Sequence, residues 1–440
     1  MKKPNIVFLH SHNTGCFVEP YGHPVPTPNL MRLAREGVVF RRAFSAAPTC
    51  SPSRGGFLTG TWPHVNGLMG LAHRGWNLSD PSMHLASTLK RAGYHTALIG
   101  VEHTGFEDLS TENGEGYDEV LDVGDRTWAG VAAAASTFFS GARETPFFVS
   151  IGLRETHIPF PEPDPECGPS EDPRYCRPFP RLPDTPELRR EMAAFAASAR
   201  HMDQCYGSIL DDLDSRGLAD NTLLFCFSDH GIQLPYGIAN LYDTGISVYC
   251  VARGPTGTAL RGGKSIDAMV SLLDLYPTAC EAAGIDIPSH VQGASLNALV
   301  NDETTEIHDA VFSEQSYHAA YEPTRCVRTD RYKLIRRFDD RRAIVLPNVD
   351  DTESKAFLLK HGWLDQRRDS EMLFDLFFDP YEHNNVVERP EYSSVAATLR
   401  ERLSAWMRST HDPLLDGVVP APENARHNDP NQASPKDPVG

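Results

Sequence analysis

The sequence predicts an α/β chain, a doubly wound and mostly parallel sheet followed by a smaller antiparallel sheet with a closing helix. Three observations predict it. Short continuous apolar runs recur up to about residue 310, each bounded by turn residues, as expected of strands covered on both faces. Stretches of helical length, punctuated by Gly and Pro, separate them. Beyond about residue 310 the strand-like runs shorten and a single amphipathic helical stretch ends the series.

Asn5 to Leu9 is the first run and ends at His10-Ser11-His12-Asn13-Thr14-Gly15. Ligands of open α/β sheets are held at the carboxyl ends of strands, so this loop is a candidate site. Thr27-Pro28-Asn29-Leu30 opens a helix through about Glu36, with proline near the start, where no amide donor is needed. Gly37 caps it and Val38-Val39-Phe40 continues as a strand. Leu85 to Ala92 reads as a helix closed by Gly93; the strand Tyr94 to Ile99 then delivers Gly100-Val101-Glu102-His103. Trp128 to Phe139 is a small-residue helix. Pro146 to Ile151 is a buried strand ending in Arg154-Glu155-Thr156-His157-Ile158-Pro159.

Residues 161–186, rich in Pro, Asp and Glu, form a long surface excursion that shapes the mouth of a site. Pro186 to Leu213 is a long helix, and the strand Thr222 to Phe227 ends at Ser228-Asp229-His230-Gly231. Ser247 to Ala252 is a strand; Ser271 to Gly284 carries a helix. Val311 to Glu314, Arg325 to Arg328, Tyr332 to Ile335 and Met372 to Leu376 are the short strands, and Val395 to Met407 the amphipathic helix. The expected division is an α/β domain over 1–310, an α+β subdomain over 311–415 and a poorly ordered tail over 416–440, where Pro, Asn and Asp are frequent and no apolar period exists.

A net charge of -18 argues against a nucleic-acid partner. Nine cysteines without CxxC spacing argue against a disulfide framework or a structural zinc site, and reduced, buried thiols suit the cytoplasm. The apolar run after Met1-Lys2-Lys3-Pro4 is too short for a leader peptide and no small-residue cleavage site follows, so a cytoplasmic location is expected. No stretch is apolar for long enough to span a membrane, so none is expected as a partner; an oligomer is compatible with the sequence.

The stretch Thr49-Cys50-Ser51-Pro52-Ser53-Arg54-Gly55-Gly56 reads C-x-P-S-R and continues through Phe57-Leu58-Thr59-Gly60 to Pro63-His64. Its plain reading is a Ser/Pro/Gly turn. It also resembles the signature of the sulfatases, members of the alkaline-phosphatase superfamily. Further stretches extend the resemblance over nearly the whole chain, towards the heparan N-sulfatase (sulfamidase) branch and its bacterial relatives. These are His64 to Leu71, Met202-Asp203-Gln204, Ser271 to Leu275, Phe374 to Pro380, Asn384-Asn385 and Thr410-His411-Asp412-Pro413.

The resemblance implies an alkaline-phosphatase-like fold and a sulfuric ester or sulfamate hydrolase acting on a small or terminal sulfated substrate, a saccharide by expectation. It implies that Cys50 is converted to formylglycine by a maturation enzyme. The aldehyde hydrate has two hydroxyls on one carbon, one to attack sulfur and one to expel sulfate. Arg54 would hold the hydrate. His103 would contact it, and His157 would protonate the leaving atom. One divalent metal, calcium by resemblance, would sit beside Cys50 on His12, Asn13, Asp229 and His230.

The sequence departs from the family pattern at several of these positions. The usual acidic pair is His12-Asn13, and the usual Asp-Asn is Asp229-His230. Four oxygen donors suit calcium, whereas two imidazoles and one carboxylate lean towards manganese, iron or zinc. The family's Gly-Lys-x-His lysine is Val101 here, and its later Lys or Arg falls near Ile238. His73, Arg74 and Arg154 are candidate substitutes. Asp229-His230 also occurs in relatives that handle phosphate or phosphonate esters, so a phosphate or phosphonate hydrolase is a second reading. A catalytically impaired, anion-binding homologue is a third.

Overall fold

The computed structural model of the chain describes residues 3–106, 116–124, 127–141 and 144–439. Met1 and Lys2, part of the segment weighed as a leader, lie outside them. The larger sheet has nine strands: β1 (Asn5–Ser11), β2 (Val38–Phe44), β3 (His95–Gly100), β4 (Glu119–Leu121), β5 (Phe147–Gly152), β6 (Thr222–Ser228), β7 (Ser247–Val248), β8 (Cys250–Arg253) and β9 (Lys264–Ser271). Their order is β4-β3-β5-β1-β6-β8-β2-β7, with β9 paired to β2. The run from β4 to β6 is parallel; β8 and β7 pair antiparallel with their neighbours. Four parallel strands, β3, β5, β1 and β6, therefore end side by side at one edge.

Both faces of β1 are covered. Ile6 and Phe8 point into one core with Phe57, Phe148 and Phe225, while Val7 and Leu9 point into the other with Val149, Leu224 and Met202. This is the period-two alternation of a strand, hidden in the sequence because both sides are apolar. Phe8 is ringed by edge-on contacts to Phe148, Phe225 and Phe227. Phe57 packs on Phe8 and Phe227. Burying an aromatic of this size contributes about 1.5–3 kcal/mol, so Phe57 ties its helix to the centre of the sheet.

That helix, Cys50–Thr59, is where the turn reading of the motif fails. Pro52 lies in the first turn, where its missing N–H is harmless. The two glycines are present for close approach: a Cβ on Gly55 would lie 2.9 Å from a Leu68 methyl, and one on Gly56 3.3 Å from Leu273. Every residue of the helix is buried, so it has no polar face to reveal a helical period.

The smaller sheet is antiparallel, β10 (Val311–Tyr317), β11 (Tyr321–Arg328), β12 (Tyr332–Arg337) and β13 (Glu371–Asp375), with helix Ser393–Ser409 laid on it. Leu399, Leu403, Trp406 and Met407 meet Val327, Leu334 and Leu373 there. β4, β9 and helix Glu353–Lys360 were not foreseen from the sequence. The segment expected as a poorly ordered tail packs back on the body instead. Asn428 is fully buried, bridges to Ala320 and accepts a hydrogen bond from Arg74 at 2.9 Å. Lys355 holds the carbonyl of Ala433 at 2.8 Å. Polar bonds rather than an apolar stripe fix this segment, so hydropathy gives no sign of it. Among the described residues no helix is long and apolar enough to cross a membrane.

Candidate active site

The four adjacent strand ends carry the side chains singled out in the sequence. β1 leads to His12 and Asn13, β6 to Asp229 and His230, β3 to His103 and β5 to His157. Helix Cys50–Thr59 points its first residue at the same place. Arg54 lies four residues on, one helical turn from Cys50 and on the same side.

One atom each from His12, Cys50, Asp229 and His230 falls within a group whose members lie within 4.8 Å of one another, and all four residues are buried. His12 Nε2 is 3.6 Å from Asp229 Oδ2, and His230 Nε2 is 3.9 Å from it. The Cys50 sulfur is 3.4 Å from His230 Nε2 and 3.8 Å from Asn13 Oδ1. A tetrahedral site with bonds of about 2.0–2.3 Å has edges of roughly 3.3–3.8 Å, so the spacing fits a small cation. His12 Nε2 is buried with no hydrogen-bond partner among the described residues, as a nitrogen awaiting a ligand would be, and His230 turns Nε2 into the same group. The donors, two imidazoles with one carboxylate and one amide oxygen, match a transition ion better than calcium.

Asp229 organises this group. Its Oδ1 accepts from the backbone N–H of Asn13 and of His230, both at 2.8 Å. Its Oδ2 receives Arg54 Nε at 3.0 Å, with Arg54 Nη2 also at 3.0 Å. Arg54 is fully buried and donates further to the Val101 carbonyl at 3.0 Å and pairs with His10 at 3.1 Å. Asn13 takes a left-handed φ of 62°, which turns its amide towards Asp229.

Burial, reinforced by the Arg54 charge, holds His12 well below the usual imidazole pKa. His103 is pushed down to about 3, by burial first and then by Arg54. Burial also lowers His230, against the opposing pull of Asp229. Burial and the Asp229 charge push the Cys50 thiol up. Near neutral pH the cluster thus holds neutral imidazoles, a neutral thiol and one Arg–Asp pair.

The rings of His12 and His157 are 4.7 Å apart and those of His12 and His103 6.2 Å, so both outer histidines border the cluster. His103 Nε2 pairs with His73 Nδ1 at 2.6 Å under stacked rings. Of the substitute cations, Arg74 reaches away, to Asn428 and the Pro435 carbonyl, and Arg154 is exposed. Ile238 is buried, and Glu102 pairs with His84.

Two residues escaped sequence reasoning. Gln233 accepts from Asn13 Nδ2 at 2.6 Å and from Ile158 N at 2.9 Å, and its amide nitrogen lies 3.3 Å from His157 Nε2. Asp350, from the C-terminal part of the chain, accepts from Gln233 Nε2 at 2.8 Å. Gln233 stands only three positions after His230, which was the one available hint; Asp350 had none.

Residues 4–285 match a family described as sulfatase, and residues 239–360 match one described as N-sulphoglucosamine sulphohydrolase, C-terminal. The chain is 30% identical to human N-sulphoglucosamine sulphohydrolase over 465 residues, covering 90% of this chain and 88% of that protein. It is 26% identical to an ulvan-active sulfatase of Formosa agariphila, covering 99% of this chain and 80% of that one. Among solved structures it resembles a 2-O GAG sulfatase, with a TM-score of 0.72, 21% identity and coverage of 96% and 95%. It also resembles a protein in complex with its substrate D-glucosamine-2-N,6-O-disulfate, with a TM-score of 0.72, 18% identity and coverage of 95% and 100%.

Proposed function

The chain belongs to the sulfatase family, and from that premise we propose a hydrolase of sulfate esters or sulfamates on a saccharide, with Cys50 matured to formylglycine. The observation that supports it most is the placement of Cys50 at a buried helix start, 3.4 Å from His230 and one turn from Arg54, inside a cation-sized group of donors. The relatives named for N-sulphoglucosamine and for ulvan support a sugar as the substrate class.

The aldehyde hydrate would supply the nucleophilic hydroxyl and the means of releasing sulfate. A divalent ion held by His12, Asn13, Asp229 and His230, with position 50 beside it, would polarise a sulfate oxygen and offset its charge. The side chains of this chain do the rest. Arg54, pinned by Asp229 and the Val101 carbonyl, presents a fixed guanidinium beside position 50. His157 Nδ1 faces the Ile158 carbonyl at 2.6 Å and donates to it, so Nε2 carries the lone pair of the neutral ring. Nε2 would take the proton that the attacking hydroxyl of the hydrate loses, letting go of the Gln233 amide as it does so, and give that proton to the departing oxygen or nitrogen. His103, backed by His73, borders the group from the end of β3, the strand next to the one that leads to His157.

Membership of the sulfatase family, rather than the charge of the pocket, supports sulfur over phosphorus. The test has two parts: mass analysis of the peptide holding Cys50, and turnover of an aryl sulfate against the matching aryl phosphate. An aldehyde at position 50 with preferential sulfate cleavage is expected. An unmodified thiol in an active preparation would remove the formylglycine mechanism. Preferential phosphate cleavage would replace the reaction, and no turnover by an aldehyde-bearing, metal-loaded sample would leave an anion-binding homologue.

A further inference from the structure

We propose that Gln233, clamped by Asp350, is a positioning residue that fixes both the side-chain amide of Asn13 and the ring tautomer of His157. The inference rests on the cation site and the His157 role above, and it adds two residues to them.

Two anchors fix which way Gln233 points. The Ile158 backbone N–H can only donate, and it meets Gln233 Oε1 at 2.9 Å. The Asp350 carboxylate accepts, and it meets Gln233 Nε2 at 2.8 Å. With Gln233 so oriented, Asn13 must turn its NH2 to Oε1, at 2.6 Å, which leaves Asn13 Oδ1 facing the Cys50 sulfur and the donor group. An unanchored asparagine would present either end to a cation.

The second proton of Gln233 Nε2 points to His157 Nε2 at 3.3 Å. A nitrogen that receives a proton donor cannot itself carry a hydrogen there. His157 is thereby held with its proton on Nδ1, where the Ile158 carbonyl accepts it at 2.6 Å. Gln233 is 1% exposed, so water does not compete for these bonds. Asp350 lies between β12 and β13, outside the large sheet, so a carboxylate from the smaller subdomain reaches the chemistry.

Residues that orient metal ligands in this way typically change metal affinity or activity by about 10–100-fold when removed. The test uses Gln233→Met, which keeps volume without hydrogen bonds, Asp350→Leu, Asp350→Asn and the double variant Gln233→Met/Asp350→Leu. The first readout is the dissociation constant of Mn²⁺ on the full chain by titration calorimetry. Gln233→Met and Asp350→Leu should each weaken Mn²⁺ at least about tenfold. The double variant should be no weaker than Gln233→Met, because Asp350 acts through Gln233. Asp350→Asn keeps an acceptor oxygen and should stay within about threefold of wild type. Additive losses, or a Gln233→Met chain that binds Mn²⁺ like wild type, would overturn the proposal.

The second readout needs neither metal nor turnover. Histidine labelled with ¹⁵N in the rings, assigned with His157→Gln, should show His157 protonated on Nδ1 at alkaline pH, and a mixture of tautomers in Gln233→Met. An Nε2–H ring in wild type, or a tautomer indifferent to Gln233→Met, would sink the inference. Failure of wild type to bind Mn²⁺ would count against the cation site itself, and the tautomer measurement would then decide the role of Gln233.

Discussion

Two buried groups of acids and imidazoles in this chain look alike at first. One is His12, Cys50, Asp229 and His230 at the edge of the large sheet; the other is His64, Glu314 and Asp412 between the two sheets. Each brings ligand-type atoms within 4.8 Å of one another. They differ in what lies among them. In the second group Arg325 donates to Asp412 at 2.6 and 3.0 Å and to the Gln315 carbonyl at 2.7 Å. Glu314 takes the backbone N–H of His64 at 2.7 Å and the ring nitrogen Nδ1 as well. The place of a cation is filled by a guanidinium. In the first group Arg54 reaches Asp229 from one side only, and His12 Nε2, the Cys50 sulfur and His230 Nε2 face one another with no guanidinium among them; each group keeps an unpartnered imidazole nitrogen among the described residues, His12 Nε2 in the first and His64 Nε2 in the second. Neither buried charge nor an unpartnered imidazole is therefore a mark of a site; ligand-type atoms that face one another with no cationic side chain between them are.

The largest effect expected is on turnover. Cys50→Ala should lower aryl sulfate hydrolysis by more than about 10³-fold, since it removes the nucleophile. Stability should move by no more than about 1 kcal/mol, as a small side chain is exchanged for a smaller one. Urea unfolding and initial rates measure both, and retained turnover would break the assignment of the first group as the reactive one.

Next in size is the cost of breaking the second group. Arg325→Ala leaves Asp412 and Glu314 buried without a counter-charge and should destabilise the fold by about 3–5 kcal/mol. It should leave Mn²⁺ affinity unchanged in whatever fraction stays folded. Arg325→Met tests whether packing can replace the pair. If either variant lost Mn²⁺ affinity selectively, the contrast between the groups would fail.

A smaller and opposite effect comes from adding the ion. Binding to the folded state alone raises stability by about 2.7 kcal/mol at a free concentration of 100 times the dissociation constant. Unfolding in Mn²⁺ against chelator should show this gain in wild type and lose most of it in His12→Ala. His64→Ala should keep the gain, although its starting stability is lower.

The sequence disclosed the first group better than the second, and the reason is position. His12, His103, His157 and Asp229 each end an apolar run, and a strand end in a parallel sheet is a readable address. The second group joins residues 64, 314, 325 and 412, which no periodicity brings together. Arg74 shows the same boundary. Its basic charge near the motif suggested an anion contact, but its partners are Asn428 and Pro435, some three hundred and sixty positions away. Helix Cys50–Thr59 was obscured by its own composition, for Pro52, Gly55 and Gly56 read as a turn until their neighbours are known.

The smallest effect sharpens the comparison through pH. Burial alone would raise the Asp412 pKa, but its hydrogen bonds and ion pair with Arg325 outweigh that and hold it below the unfolded value of 3.8. A depressed carboxyl contributes stability that is complete above the unfolded pKa and disappears as pH falls through the folded one. The second group should therefore give a flat stability profile from neutral pH down to about that unfolded value, then a falling one. Asp412→Asn should be less stable at pH 6 and lack that last fall, so the two curves converge in acid. Urea unfolding at intervals from pH 6 to pH 3 follows both chains. A wild-type advantage that faded already between pH 6 and pH 5 would mean that Arg325 does not hold Asp412 ionised. The second group would then no longer be the counterpart whose carboxylates are already held by a guanidinium.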